Sequence, residues 1–207
     1  MNALRRLTRG LEKYGWRSPI FLGVAALAPL DAIIQSSRRA RITLLSGGTI
    51  ARSATVEEDV FVSPRARIDV GEGVFIGRRG VFEISNAPGS CLTIGAGSWI
   101  SHDCHITCVA TVTLGRKVLI GEFVSIRDTT HIHDRVDVPI KDQGDISGPV
   151  VIEDGAWIGR GVLIQAGPGG IRIGAHSIIA ANSVVRSDVP PRTIWGGAPA
   201  RLLKARG

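Results

Sequence analysis

The sequence predicts an all-β fold, a parallel β-helix wound from short strands, and three observations predict it. An aliphatic residue recurs every sixth place over most of the stretch from Ile50 to Val185. Four places after it a small or β-branched residue recurs as well. Glycine supplies 26 of the 207 residues while aromatics make up only 5%, the balance of a fold of short strands joined by tight turns.

With the aliphatic residue as position i, the frame runs Ile50, Val56, Val62, then slips by two to Val70 and Ile76. After an irregular stretch it resumes at Ile94, Ile100 and Ile106, and slips by two again to Leu114, Ile120 and Ile126. It restarts at Ile152, Ile158 and Ile164 and finishes at Ile173, Ile179 and Val185. Position i+4 holds Ala54, Val60, Ala66, Val74, Ala110, Val118, Val124, Ala156, Val162, Ser177 and Ser183. A narrow coil explains both signals. The large aliphatic fills the interior from a flat face, and the small residue fits where the chain turns a corner near the axis. Each buried Ile or Val stabilises the fold by about 1.5–3 kcal/mol. A strand meander of period two does not keep a small residue at every sixth place. The predicted organisation is a helical segment over residues 1–41, a β-helix over 42–189 interrupted by a loop at 127–149, and a tail over 190–207.

In the first segment, Arg5, Arg6, Arg9, Lys13 and Arg17 punctuate a helix with Leu4, Leu7 and Leu11 on one face. Ser18-Pro19 signals the start of a second helix, which carries the apolar run Ile20 to Ile34. That run contains Pro29 and Asp31 and falls short of the roughly 20 apolar residues a spanning helix needs. Three readings remain: a helix packed over the open end of the coil, a basic amphipathic element on the inner membrane surface, and a signal peptide ending at Ala26-Leu27-Ala28. The formal charge of +7 suits a polyanionic ligand without choosing among nucleic acid, anionic lipid and a phosphate-rich cofactor. No interleaving of aromatic and basic residues supports nucleic acid. Cys91, Cys104 and Cys108 form no CxxC pair and point to a reducing compartment.

The longest break in the repeat, Arg127 to Pro149, holds Asp128-Thr129-Thr130-His131-Ile132-His133-Asp134. Regular hexads build scaffold, so the break is where chemistry is expected. A second polar cluster is Ser101-His102-Asp103-Cys104-His105. Cys104 stands at a corner position and reads as a small buried residue, not a reactive thiol.

The hexads Ile-Gly-x-x-Ala/Ser/Val-x resemble those of the left-handed β-helix, hexapeptide-repeat acyltransferases. In that family three hexads make one triangular coil, which implies about five to six coils here. Pro149 to Gly159, Ser183 to Pro191 and Gly196 to Arg201 are similar to the sugar and xenobiotic O-acetyltransferase branch, which includes galactoside, maltose and nodulation-factor acetyltransferases. The resemblance implies acetyl transfer from acetyl-CoA to a hydroxyl of a sugar or polysaccharide precursor, in a cytoplasmic homotrimer with sites between subunits. It places the general base at His131, although the branch often has Asn where Thr130 stands. It leaves His133 as a second candidate, with Asp128 or Asp134 to orient the imidazole, and Gln143 lining the acceptor site. It sets Asp103 where the branch holds an acceptor-binding residue. Arg160, Ala181, Arg186, Arg201 and Lys204 fall along its CoA groove, and the extruded turn Gly167-Pro168-Gly169-Gly170 is set against that groove. Trp157 faces outward and takes no assigned role. Transfer of this kind needs a base and an oxyanion donor but neither a nucleophilic side chain nor a metal.

Two alternatives stand beside this reading. A non-catalytic β-helix used for assembly or binding would not need the loop histidine. A γ-class carbonic anhydrase uses three zinc histidines on this fold, and the spacing of His102, His105 and His131 does not match it.

Overall fold

A computed structural model of the chain describes residues 19–207, with side chains from residue 30 onward. The expected helix with Leu4, Leu7 and Leu11 lies outside the described residues. Helix α1 spans Pro19–Leu45. It begins at the proline, whose missing N–H is no loss in a first turn, and continues past Arg41. The chain divides into two compact units between Arg38 and Arg39. Within the second unit, the end of α1 joins the solenoid. Ile42 is part of its core, Arg39 Nη1 donates to Ala54 O at 2.9 Å, and Leu45 O accepts from Arg65 N. No helix among the described residues is long and apolar enough to cross a membrane.

Beyond Ile50 the chain winds through three parallel sheets in rotation, as the hexads predict. The first face stacks Thr55–Val56, Phe75–Ile76, Trp99–Ile100, Leu119–Ile120, Trp157–Ile158 and Ile178–Ile179. The second stacks Phe61–Val62, Val81–Ile84, His105–Cys108, Ser125–Arg127, Leu163–Gln165 and Val184–Val185. The third stacks Ile68–Val70, Cys91–Ile94, Thr111–Leu114, Val150–Ile152 and Ile171–Ile173. The 6-stranded second sheet sets the solenoid at about six coils. Register is set by the buried residues: Val56, Ile76, Ile100, Ile120, Ile158 and Ile179 lie one above another. The corner positions Ala54, Ala66, Val74, Val118, Val124, Ala156 and Val162 are buried with them. The corner serines Ser177 and Ser183 are buried too and return their hydroxyls to Gly174 O and Ala180 O.

The irregularities in the frame have a structural cause. Each two-residue slip is absorbed within the sheets: His105–Cys108 buries Ile106 and Cys108, and Thr111–Leu114 buries Val112 and Leu114. The stretch between Ile76 and Ile94 is regular solenoid as well, burying Phe82, Ile84 and Leu92. An aromatic at an inward place masks the repeat there. The carboxy-terminal segment is a hairpin. Thr193–Gly197 pairs in parallel with Ile178–Ile179 and antiparallel with Ala200–Ala205, extending the first face.

At the corner between the first and second faces, positive φ recurs at Asp59, Arg79, Asp103, Phe123, Gly161 and Asn182. Each coil therefore turns there through the same left-handed backbone conformation, and these positions form a column along the outside.

Candidate active site

The long interruption leaves the second face after Ser125–Arg127 and rejoins the third at Val150–Ile152. Its two ends pair as an antiparallel hairpin, Thr129–His131 against Asp145–Ser147, in a register that sets His131 opposite Asp145. His131 Nδ1 donates to Asp145 Oδ1 at 2.5 Å. A carboxylate only accepts, so Nδ1 carries the proton of this bond, and Nε2 is the ring nitrogen it leaves unengaged. Both side chains are open to solvent, with 72% and 57% of their surface exposed.

Neither acid expected from the sequence is the partner. Asp128 is fully buried, and its two oxygens accept from Val109 N and Ala110 N at 2.7–2.9 Å. Burial pushes its carboxyl above the ordinary range against the pull of those N–H groups. It fastens the root of the hairpin to the coil below. Asp145 lies far along the chain from His131 and is brought to it by the hairpin register, so proximity in sequence does not find it.

The hairpin is held at both ends. At the root, Gln165 Nε2 donates to Thr129 O at 2.6 Å, and Gly148 N donates to Asp128 O at 2.9 Å. A Cβ on Gly148 would lie 2.4 Å from Gly167 O, so the extruded turn at Gly167–Gly170 packs against this root. At the tip, Gln143 accepts from Arg135 N and donates to Arg135 O and Val138 O. Its carboxamide braces the loop. His133 Nδ1 donates to His131 O at 3.3 Å, and its ring lines a hollow with Arg135 and Ile140.

A second feature lies along the first face and its corner. Trp99, Leu119 and Trp157 stack in register as an exposed apolar strip, and Phe75 lies flat against Trp99 at 3.8 Å. Ser101, Glu122, Arg160 and Ala181 complete a cleft of about 430 Å³ over this strip. Backbone crowds its edge, since a Cβ on Gly159 would lie 2.7 Å from Ala181 N. Below it, the corner column is a chain of contacts. Arg79 binds Asp103 through two nitrogens at 2.6 and 2.7 Å, and His102 Nδ1 meets Asp103 at 2.7 Å. His102 stands edge-on to Phe123 at 5.6 Å, and Arg160 lies over the same ring at 5.1 Å. The Arg79 guanidinium, with His102, holds the Asp103 carboxyl at about 2.

The structure therefore gathers the expected residues into groups. His131, His133 and Gln143 share the hairpin. Arg160 and Ala181 share the cleft at the other end of the second face, and Asp103 lies down the same corner. Arg201 and Lys204 stand exposed on the terminal strand, paired with Gly196 and Ile194. Arg186 follows Val184–Val185, on the hairpin's side of the second face. The exposed tryptophans of the cleft were not among the expected site residues. Their signal is an aromatic in the outward place before Ile100 and Ile158.

The cysteines are free. Burial raises the Cys104 thiol to about 11 and the Cys108 thiol to about 12. Among the described residues, no group of three or more His, Cys, Asp or Glu is arranged to hold a metal ion.

No protein-family model matches the chain. Galactoside O-acetyltransferase of Escherichia coli is 29% identical over 153 residues, covering 73% of this chain and 63% of that one. The structure of a hexapeptide-repeat-containing acetyltransferase from Vibrio cholerae, complexed with acetyl-CoA, aligns with a TM-score of 0.63 at 26% identity over 92% of this chain and 91% of that one. In sequence and in fold the chain is similar to hexapeptide-repeat acetyltransferases. A relative from Schizosaccharomyces pombe is 32% identical over 135 residues, covering 60% of this chain and 62% of its own length. The chain thus spans less than two thirds of the length of these curated relatives. The chain departs from its regular solenoid most at the His131 hairpin.

Proposed function

We propose that the protein is an acetyl-CoA-dependent O-acetyltransferase acting on a hydroxyl of a sugar or polysaccharide precursor, with His131 as general base. The observation that carries this reading is the His131–Asp145 pair, which orients the ring through Nδ1 and leaves Nε2 unengaged by that bond. Acetyl-CoA supplies the acetyl group as a thioester. His131 Nε2 takes the hydroxyl proton as the acceptor oxygen attacks the thioester carbonyl carbon. It returns that proton to the sulfur as the C–S bond breaks. Asp145 steadies the imidazolium between the two steps.

The cleft fits the donor. Its apolar floor and exposed backbone at Gly159–Gly161 and Ala180–Ala181 suit a pantetheine arm. Arg160 borders it, and Arg201 and Lys204 lie beyond it for phosphates. Trp99 gives a flat aromatic platform of the kind a sugar ring stacks on. We assign Asp103, His133 and Gln143 to the surroundings of the acceptor, the first through its corner column and the other two through the shape of the hairpin. His131 and Arg160 border opposite ends of the second face within one chain. A trimer that sets the hairpin of one subunit over the cleft of the next joins them, and Arg186 then reaches the donor of the neighbouring subunit. We place the reaction in the cytoplasm, where acetyl-CoA is available.

An acceptor screen with acetyl-CoA and detection of free thiol tests the reading. Thiol release that depends on a glycoside or oligosaccharide supports it. No release with any hydroxyl acceptor, together with no thermal stabilisation by millimolar CoA, favours a non-catalytic assembly protein instead.

A further inference from the structure

We propose that the acceptor is an anionic sugar and that Arg127 holds its charge. The proposal rests on acetyl transfer at His131 and names the class of acceptor that site takes.

Arg127 ends the strand Ser125–Arg127. Ile126 points into the core, so Arg127 points out from the second face. In the ladder it lies between Thr107 on one coil and Gln165 on the next. Two residues on, Thr129 opens the hairpin that carries His131, and Gln165 is the residue bonded to Thr129 O. Arg127 therefore stands at the foot of the catalytic hairpin.

Its charge has no counterpart there. Arg127 is half-buried, yet among the described residues its guanidinium forms no ion pair. The acids around it are committed elsewhere. Glu83, next down the column past Thr107, meets His105 Nε2 at 2.8 Å. Asp128 receives the N–H groups of Val109 and Ala110, and Asp145 receives His131. Beside Arg127, the hydroxyl of Thr107 is buried with no hydrogen-bond partner. A buried polar group without a partner is costly, and a half-buried cation gains from a counter-charge.

One kind of ligand satisfies both groups. A compact oxyanion accepts two parallel N–H bonds from the guanidinium fork and one O–H bond from the threonine. On a sugar, that oxyanion is the carboxylate of a uronic acid or the phosphate of a glycosyl phosphate. Either is held beside His131 while a neighbouring hydroxyl is presented to Nε2.

The test compares methyl glucoside, methyl glucuronide and glucose 1-phosphate with the full-length protein and its Arg127→Gln and Arg127→Lys variants. Rates of thiol release from acetyl-CoA are measured beside calorimetric titration of each sugar at low salt. We expect the wild type to favour one anionic probe over the neutral glucoside by roughly tenfold or more. Arg127→Gln loses that preference, Arg127→Lys keeps part of it, and all three proteins bind CoA alike. The glucuronide and phosphate arms tell carboxylate from phosphate. Equal or weaker binding of both anions relative to the glucoside overturns the proposal, as does a preference that survives Arg127→Gln. The titration needs no turnover, so it reads Arg127 even if transfer at His131 fails.

Discussion

His131 and Asp145 face each other across two antiparallel strands, Nδ1 to Oδ1 at 2.5 Å, although they are separated by 14 positions in sequence. The pair exists because the loop root is a hairpin in one register. Shifting that register by one residue would turn one of the two side chains to the opposite side of the ribbon.

Asp145→Asn should therefore lower kcat by about tenfold to a hundredfold, less than the general base itself contributes, because the pair is exposed. The KM for acetyl-CoA should barely change, since Asp145 acts on the His131 ring and not on the donor. Steady-state kinetics at saturating acceptor separates the two constants. A rise in KM at unchanged kcat would assign Asp145 to binding.

Asp128 acts on the fold. Replacing it with Asn removes the charge that both N–H groups point at and sets an NH2 group against the N–H of Val109. The expected loss is about 1–3 kcal/mol, read from the urea midpoint. Asp134→Asn, at an exposed position in the same loop, should change stability by no more than about 0.5 kcal/mol.

Acid should weaken the first corner. The Asp103 carboxyl is held at about 2 against an ordinary 3.8. Between these values the unfolded chain binds the extra proton, so stability falls as pH drops through that window and is fully present above it. A series of melting temperatures from pH 5 to pH 2 should fall less steeply for Asp103→Asn than for the wild type. Identical slopes would mean that the Arg79 and His102 contacts do not persist in solution.

The two buried thiols should be inert. With Cys104 near 11 and Cys108 near 12, a thiol reagent at pH 8 should spare both in the folded protein. Mass spectrometry after denaturation should find all three cysteines reactive. Rapid native labelling of Cys104 would show that the coil opens at that corner.

The solenoid was legible because one physical constraint repeats: a narrow interior wants an aliphatic residue on each flat and a small residue at each corner. Apart from the long loop and the extruded turn at Gly167–Gly170, the frame was lost where Phe82 occupies an inward place and where a strand buries two residues instead of one, as with Ile106 and Cys108. His131, the proposed base, was legible as a histidine inside the one long break. Its partner was not, because the sequence does not reveal which strands of a loop pair. The three hydrogen bonds of Gln143 to Arg135 and Val138, which brace the loop, were not legible for the same reason. The Trp99–Leu119–Trp157 strip was visible as residues but not as a surface, since only the coil register stacks positions so far apart in sequence.

The most direct test of the account is the rate of acceptor-dependent thiol release by His131→Ala, with CoA affinity measured on the same sample. The account predicts a fall of about a hundredfold to ten-thousandfold in kcat with CoA binding retained. Turnover equal to that of the wild type would contradict it.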